Sequence, residues 1–204
     1  MLALSGCGAT EAAEPMRDCE WGSTKTIETK GELVTTTADA VSSIAAFARR
    51  AAPYDRPPRD EFSLLHDESG GVEIERARRL VADAGPSRID LYAAPTTTGG
   101  LCFELRGREE AEYGARADYG GLCYSGSPFD SAVELISRSP DHCTARAAGI
   151  VPTGVVAVEV ELLGRRHRAE LGENAFVFER RLERGTTSVA ILLHYDDGTV
   201  VRSE

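Results

Sequence analysis

Apolar and polar residues alternate with two different periods along this chain, and the point where one gives way to the other divides it. Over 37–52, Val41, Ile44, Ala45 and Ala48 recur at helical spacing on one stripe. Thr36 stands where it would cap the first turn, with Asp39 three positions on, and Pro53 with the pair Pro57 and Pro58 ends the run. A second stripe over 72–84 puts Ala77, Leu80, Val81 and Ala84 on one face, with acids ahead of arginines, and stops at Gly85 and Pro86. Two N-terminal helices covering a sheet are expected.

Beyond Pro86 the period falls to two. Strands are predicted over 88–94, 101–106 and 122–125, with the charged run 107–118 read as a solvated loop. Over 130–138, Val133, Leu135 and Ile136 fit either period, so helix and strand both stay open. Val156, Val158, Val160 and Leu162 then alternate with Ala157, Glu159 and Glu161, the pattern of a half-buried strand. Four more strands follow over 166–171, 175–179, 188–195 and 199–202, the last two joined through Asp197 and Gly198, a favoured hairpin turn. Asn174, the sole asparagine, suits a turn or bulge, where its amide serves nearby backbone groups and left-handed dihedrals are tolerated.

The class this implies is α+β: two helices with a short disulfide-stapled antiparallel sheet, then an immunoglobulin-like β-sandwich or partly open barrel. Its expected divisions are 1–18, a signal-peptide remnant and tether; 19–143, the α+β region; and 144–204, the sandwich-like module.

The cysteines carry the next step. G-G-L-C-F of 99–103 recurs as G-G-L-C-Y of 120–124. Leu101 and Phe103 point one way and Cys102 the other, and Leu122 and Tyr124 flank Cys123 in the same way, so neighbouring strands in matched register bring the two sulfurs together. A Cys102–Cys123 disulfide is expected, and Cys19 with Cys143 follows by elimination once Cys7 is set aside. Small buried thiols are the alternative if the chain stays in a reducing compartment. No C-x-x-C or C-x-x-H pair suggests zinc.

Leu4, Ser5, Gly6 and Cys7 spell L-S-G-C, which resembles the lipobox of bacterial lipoproteins. That resemblance implies a diacylglycerol on Cys7 as the sole attachment to a membrane. Six residues before Cys7 are too few for a signal peptide, so a start further upstream is expected. Residues 8–18, small, polar and interrupted by proline, read as a tether.

Thirty-three acids against 23 bases leave a formal charge of −10, which disfavours nucleic-acid and anionic-lipid partners. The sequence lacks G-x-G-x-x-G, G-x-x-x-x-G-K, H-E-x-x-H and G-x-S-x-G. The histidines His66, His142, His167 and His194 are dispersed. Asp141, His142 and Cys143 place an acid, a base and a thiol together, but neighbours on an extended chain point to opposite faces. His194 with Asp196 and Asp197 has the donors for a divalent cation, although a hairpin explains the same residues. Glu109, Glu110 and Glu112 read as a solvated cluster short of a calcium site. Arg165, Arg166, His167 and Arg168 form the densest basic patch, suited to an acidic partner or to a charge-guarded sheet edge. Neither a metal nor a cofactor is expected.

Five segments are taken together: L-Y-A-A-P-T (91–96), G-G-L-C, G-I-V-P-T-G-V (149–155), G-E-N-A-F-V-F (172–178) and Y-D-D-G-T-V (195–200). They resemble a group of uncharacterised exported, lipoprotein-like, β-rich proteins of high-GC bacteria. The likeness covers 75–202 and implies export, disulfides and a β-rich C-terminal module, with no activity and no catalytic residue to carry over. The bias agrees: Lys25 and Lys30 are the only lysines, and glutamine is absent. The function expected is a non-catalytic extracytoplasmic protein, lipid-anchored or secreted, that builds structure or binds an envelope protein or polymer. The alternatives are an envelope hydrolase with a site near His66, Asp67 and Glu68, and a carrier holding a small ligand in an enclosed apolar space between helices and sheet.

Overall fold

The computed structural model describes residues 41, 44–57, 71–110, 116–124, 144–181 and 189–202. Within them the chain is mostly strand: β1 (Arg78–Ala84), β2 (Ile89–Pro95), β3 (Leu101–Glu110), β4 (Arg116–Tyr124), β5 (Thr144–Ile150), β6 (Val155–Leu162), β7 (Arg165–Arg168), β8 (Glu170–Leu171), β9 (Ala175–Arg181), β10 (Val189–Tyr195) and β11 (Val200–Arg202). They form three antiparallel sheets, ordered β1-β2-β3-β4, β5-β9-β8 and β11-β10-β6-β7. The one α-helix described, α1 (Ala45–Ala48), is a single turn.

Side-chain alternation explains the stacking. On β5 and β9, Ala148, Ile150, Ala175 and Val177 join a core with Leu91, Phe103 and Leu105 of the first sheet. The intervening Ala145, Ala147, Phe176 and Phe178 join a second core with Val158, Val160 and Leu162 of β6 and Ile191 and Leu193 of β10. The three-stranded sheet therefore lies between the other two and buries both faces. Its register sets small against large, Ala147 opposite Phe178 and Gly149 opposite Phe176. The first core crosses residue 143, where a boundary between modules was expected.

The α+β expectation is corrected here, because the second predicted helix is strand over Arg78–Ala84 and the described part of the first is broken at Ile44 and again at Arg49. Over 72–84 the structure has one turn of 3-10 helix (Ile74–Arg76) and then β1. Register shifts between Arg79 and Val81 and again between Val81 and Ala84 bend the strand. Leu80, Val81 and Ala84 all reach the same core as a result. A bulged strand thus reproduces the three-four spacing of a helix.

Over 37–52, the described residues are helical at Val41 and from Ala45 to Ala48, with Ile44 and Arg49 extended on either side of the latter turn. Pro53 has no N–H to offer the Arg49 carbonyl, and the buried Arg78 guanidinium donates to Ala46 O at 3.0 Å and to Arg49 O at 3.2 Å. Asn174 Oδ1 accepts from Ala45 N at 3.1 Å and so caps this turn from 129 residues away. The described parts of the run 107–118, which are 107–110 and 116–118, are likewise strand, with Arg106 opposite Asp118 and Glu110 opposite Arg116. The immunoglobulin-like two-sheet picture gives way to three stacked sheets, since β5 and residues Ala175–Phe178 of β9 are covered on both faces.

One ion network holds the α1 segment to β1 and to the β8–β9 turn. Asp55, fully buried, accepts from Arg49 Nη2 at 2.7 Å, Ala52 N at 2.7 Å and Arg79 N at 3.2 Å. Arg49 Nε reaches Glu173 at 3.1 Å. Burial by itself would raise the Asp55 pKa, but the Arg49 guanidinium and the two backbone N–H donors outweigh it and hold the carboxyl down to about 2. The carboxylate's contribution is complete above the ordinary aspartate range and disappears as pH falls through that range towards 2. Acid unfolding followed by circular dichroism should show about 2 kcal/mol of stability lost over that interval, and Asp55→Asn should remove this component. An unaltered acid profile in the variant would count against the network.

Gly172 meets the backbone of β1 where Glu173 N donates to Leu80 O at 3.0 Å, and a methyl group at 172 would run into that same carbonyl. Gly172→Ala should therefore cost roughly 3 kcal/mol in denaturant unfolding.

Candidate functional site: an arginine-lined cleft at a sheet corner

The basic run 165–168 becomes β7, the end strand of the third sheet. Its hairpin with β6 turns through Leu163 (φ 51°) and Gly164 (φ 72°), and Glu161 stands opposite Arg166 and Glu159 opposite Arg168 on the outer face. His167, opposite Val160, is thereby turned inward. At Ala169, whose N–H donates to Val158 O at 2.9 Å, the strand leaves the third sheet and continues as β8 beside β9. A strand that changes sheets opens a corner, and a cleft of about 360 Å³ lies there between β7 and β9.

Three arginines, Arg166, Arg168 and Arg180, line the cleft with His167, Phe178, Glu170 and Glu179. Arg180 comes from β9, two positions past Phe178 and so on the same face. Its Nη1 donates to His167 Nδ1 at 2.8 Å, which leaves the imidazole proton on Nε2. The His167 ring stacks on Phe178 with centroids 6.2 Å apart. Burial, then the charges of Arg180 and Arg165, hold the His167 pKa below its usual range, so the ring is neutral at pH 7.

The two acids at the cleft are committed elsewhere. Glu179 is 2% exposed and accepts from Ser87 N at 2.7 Å, Ser87 Oγ at 2.6 Å and Arg146 Nε at 2.8 Å. Glu170 Oε1 accepts from Gly85 N at 2.7 Å. Both carboxylates thus clamp the β1–β2 turn onto the middle sheet. Arg166 shares Glu161 with Arg202, at 3.5 and 2.8 Å. Among the described residues, Arg168 and Arg180 meet no carboxylate.

Other residues singled out by sequence fall elsewhere. Cys102 and Cys123 are direct partners on β3 and β4, with Cα atoms 4.0 Å apart and a disulfide between them. His194 Nε2 lies 3.0 Å from Glu159 Oε2 rather than beside Asp196 and Asp197. Asp197 Oδ1 accepts from Thr199 N at 2.8 Å, and Gly198 has φ 83°. Asn174 is left-handed, at φ 58°. Among the described residues no three histidine, cysteine, aspartate or glutamate side chains gather to hold a metal. Cys7, Cys19, Cys143, His66, Asp67, Glu68, Asp141, His142 and Glu112 lie outside the described residues, as do the side chains of Glu109 and Glu110.

Arg180 and the trio Glu179, Arg146 and Ser87 escaped the sequence reading. The alternation of A-F-V-F carried two residues further would have placed Arg180 with Phe178 and Glu179 with Val177. Nothing local identifies Arg146 or Ser87 as the partners of Glu179, 33 and 92 residues away. Glu179→Gln should remove the charge that faces the 5% exposed Arg146 guanidinium and cost about 3 kcal/mol in denaturant unfolding. A loss under about 1 kcal/mol would show that this pair is not a structural tie.

Comparison with protein-family models, curated proteins and solved structures finds no match, so no relative lends an activity to this cleft.

Proposed function

We propose that this chain is a non-catalytic binding protein of the bacterial envelope, lipid-anchored through Cys7 or secreted, which seats its partner in the corner cleft. The observation that carries the reading is the cleft itself: Arg168 and Arg180, which meet no carboxylate among the described residues, held on paired strands rather than on a loop. Its described lining has no serine, threonine or cysteine to act as a nucleophile, and the Nδ1 lone pair of its histidine is already taken by Arg180. Guanidinium donors of this kind bind carboxylate or phosphate through strong charge-assisted hydrogen bonds.

The compartment rests on the Cys102–Cys123 crosslink, which suits an oxidising milieu, together with the L-S-G-C segment and the resemblance to exported proteins. Cys102 is fully buried beside Tyr92, with the half-buried Cys123, Val72 and Ile74 against it. The bond closes a loop with a sequence separation of 21 and contributes about 3 kcal/mol in the chain-entropy account.

Fractionation of cells carrying the gene with its upstream region should place the protein in the envelope or the medium. Non-reducing peptide mapping should recover Cys102 joined to Cys123, and replacing both with alanine should lower stability by about 3 kcal/mol. Recovery from the cytosol with both thiols free would end the extracytoplasmic reading. Turnover of any substrate in a broad hydrolase panel, lost on substitution in the cleft, would end the non-catalytic one.

A further inference from the structure

We infer that the corner cleft is a seat for a single oxyanion group, phosphate or carboxylate, with Arg180 as its cationic grip, Arg168 at its rim and the His167 Nε2–H as a donor. The inference rests on the binding-protein reading and names the chemistry of what is bound.

Three observations support it. First, charge in the cleft does not follow the charge of the molecule. The chain carries −10 overall, yet three arginines border this cleft, and the two glutamates beside them have oxygens taken by Ser87, Arg146 and the Gly85 N–H. A cationic spot on an acidic body orients an anionic ligand, because the surrounding surface repels it and the spot attracts it.

Second, the donors are pre-positioned. Arg180 is aimed at His167 by a 2.8 Å hydrogen bond, and the His167 ring is steadied by the Phe178 stack, so little side-chain freedom is lost on binding. With Nδ1 accepting from Arg180, Nε2 carries the proton and is a hydrogen-bond donor. Third, about 360 Å³ is near the lower end of the range for small-molecule sites, enough for one charged unit but not for a long chain segment.

The arrangement also carries a pH response. Groups facing His167 are Arg180 and Phe178 from β9 and Arg165 from its own strand, while Arg166 and Arg168 lie on the outer face with Glu161 and Glu159, and the committed acids Glu170 and Glu179 border the cleft. An oxyanion favours the protonated imidazole, which the arginines disfavour in the free protein. Protonation turns Nδ1 into a donor, releasing Arg180 from the ring to the ligand. Affinity should therefore rise as pH falls through the imidazole range.

The test titrates the full chain, with its disulfide intact, with sodium sulfate, whose charge is constant between pH 5 and 8, followed by amide NMR. Shifts are expected at 166–168 and 177–180, with affinity rising at least threefold from pH 7.5 to 5.5. Arg180→Ala should weaken binding at least tenfold and flatten the pH response, whereas Arg76→Ala, at an exposed arginine on the 3-10 turn, should change it less than twofold. Because Arg180 is exposed, the variant's unchanged spectrum away from the cleft checks that it folds.

Inorganic phosphate and a glycerol-phosphate polymer then separate the sources. Tighter binding of the polymer, per phosphate, marks a polymer-borne group, and equal binding marks the free anion. Sulfate affinity unchanged in Arg180→Ala would overturn the inference, as would equal shifts with the neutral sugar N-acetylglucosamine. Neither result bears on the binding-protein reading, which is decided by fractionation and the substrate panel.

Discussion

Burying one small sheet on both of its faces is the constraint from which the rest of this architecture follows. β5 and the stretch Ala175–Phe178 of β9 have no solvent side, and every residue of T-A-R-A-A-G-I is buried. Two sheets must stack on the middle one, each about 10 Å away, and the side chains between must fill those layers without gaps. The register meets this by placing Ala147 and Gly149 across from Phe178 and Phe176. A strand of alanines is poor in β-propensity, yet here it is the only kind of strand thin enough to run beside two phenylalanines.

The same constraint governs the charges. Arg146 and Glu179 are cross-strand partners in the middle sheet, and burial makes an unpaired member of that pair costly. Each meets the other, and Glu179 also gathers the Ser87 hydroxyl and N–H from the β1–β2 turn. Gly85 (φ 65°) belongs to this junction because a side chain there would press on the Glu179 Cβ. The carboxylate thus ties the first sheet to the middle one. The next residue, Arg180, points to the opposite face because strand side chains alternate, and so reaches the cleft. A buried tie and a basic site are built from consecutive residues.

The cleft in turn depends on β7 and β8 being one strand that serves two sheets. His167 belongs to the third sheet and Glu170 to the middle one, with Ala169 at the crossing. If the strand stayed in one sheet, His167 and Arg180 would have no reason to meet.

Much of this was legible in the chain, and the failures have a common cause. The two-residue period of 156–162 belongs to a strand half exposed on one face, a situation where burial writes itself directly into residue type. The G-G-L-C repeat pointed to Cys102 and Cys123 because a strand alternates its faces wherever it lies. The helix read over 72–84 failed because two register shifts let Leu80, Val81 and Ala84 share a core, and a bulge leaves the same apolar spacing as a helical turn.

Local sequence therefore determined which residues are apolar, which strands have a wet face and which cysteines face the same way. Tertiary structure alone decided that the 72–84 stripe is strand, that α1 stops after one turn, and that Arg146, Ser87 and Glu179 meet. Those outcomes hang on partners 29 to 129 residues distant, such as Arg78 at the Arg49 carbonyl and Asn174 at the Ala45 amide. Hydrogen bonds and close packing act between atoms near in space, and only the folded chain brings those atoms together.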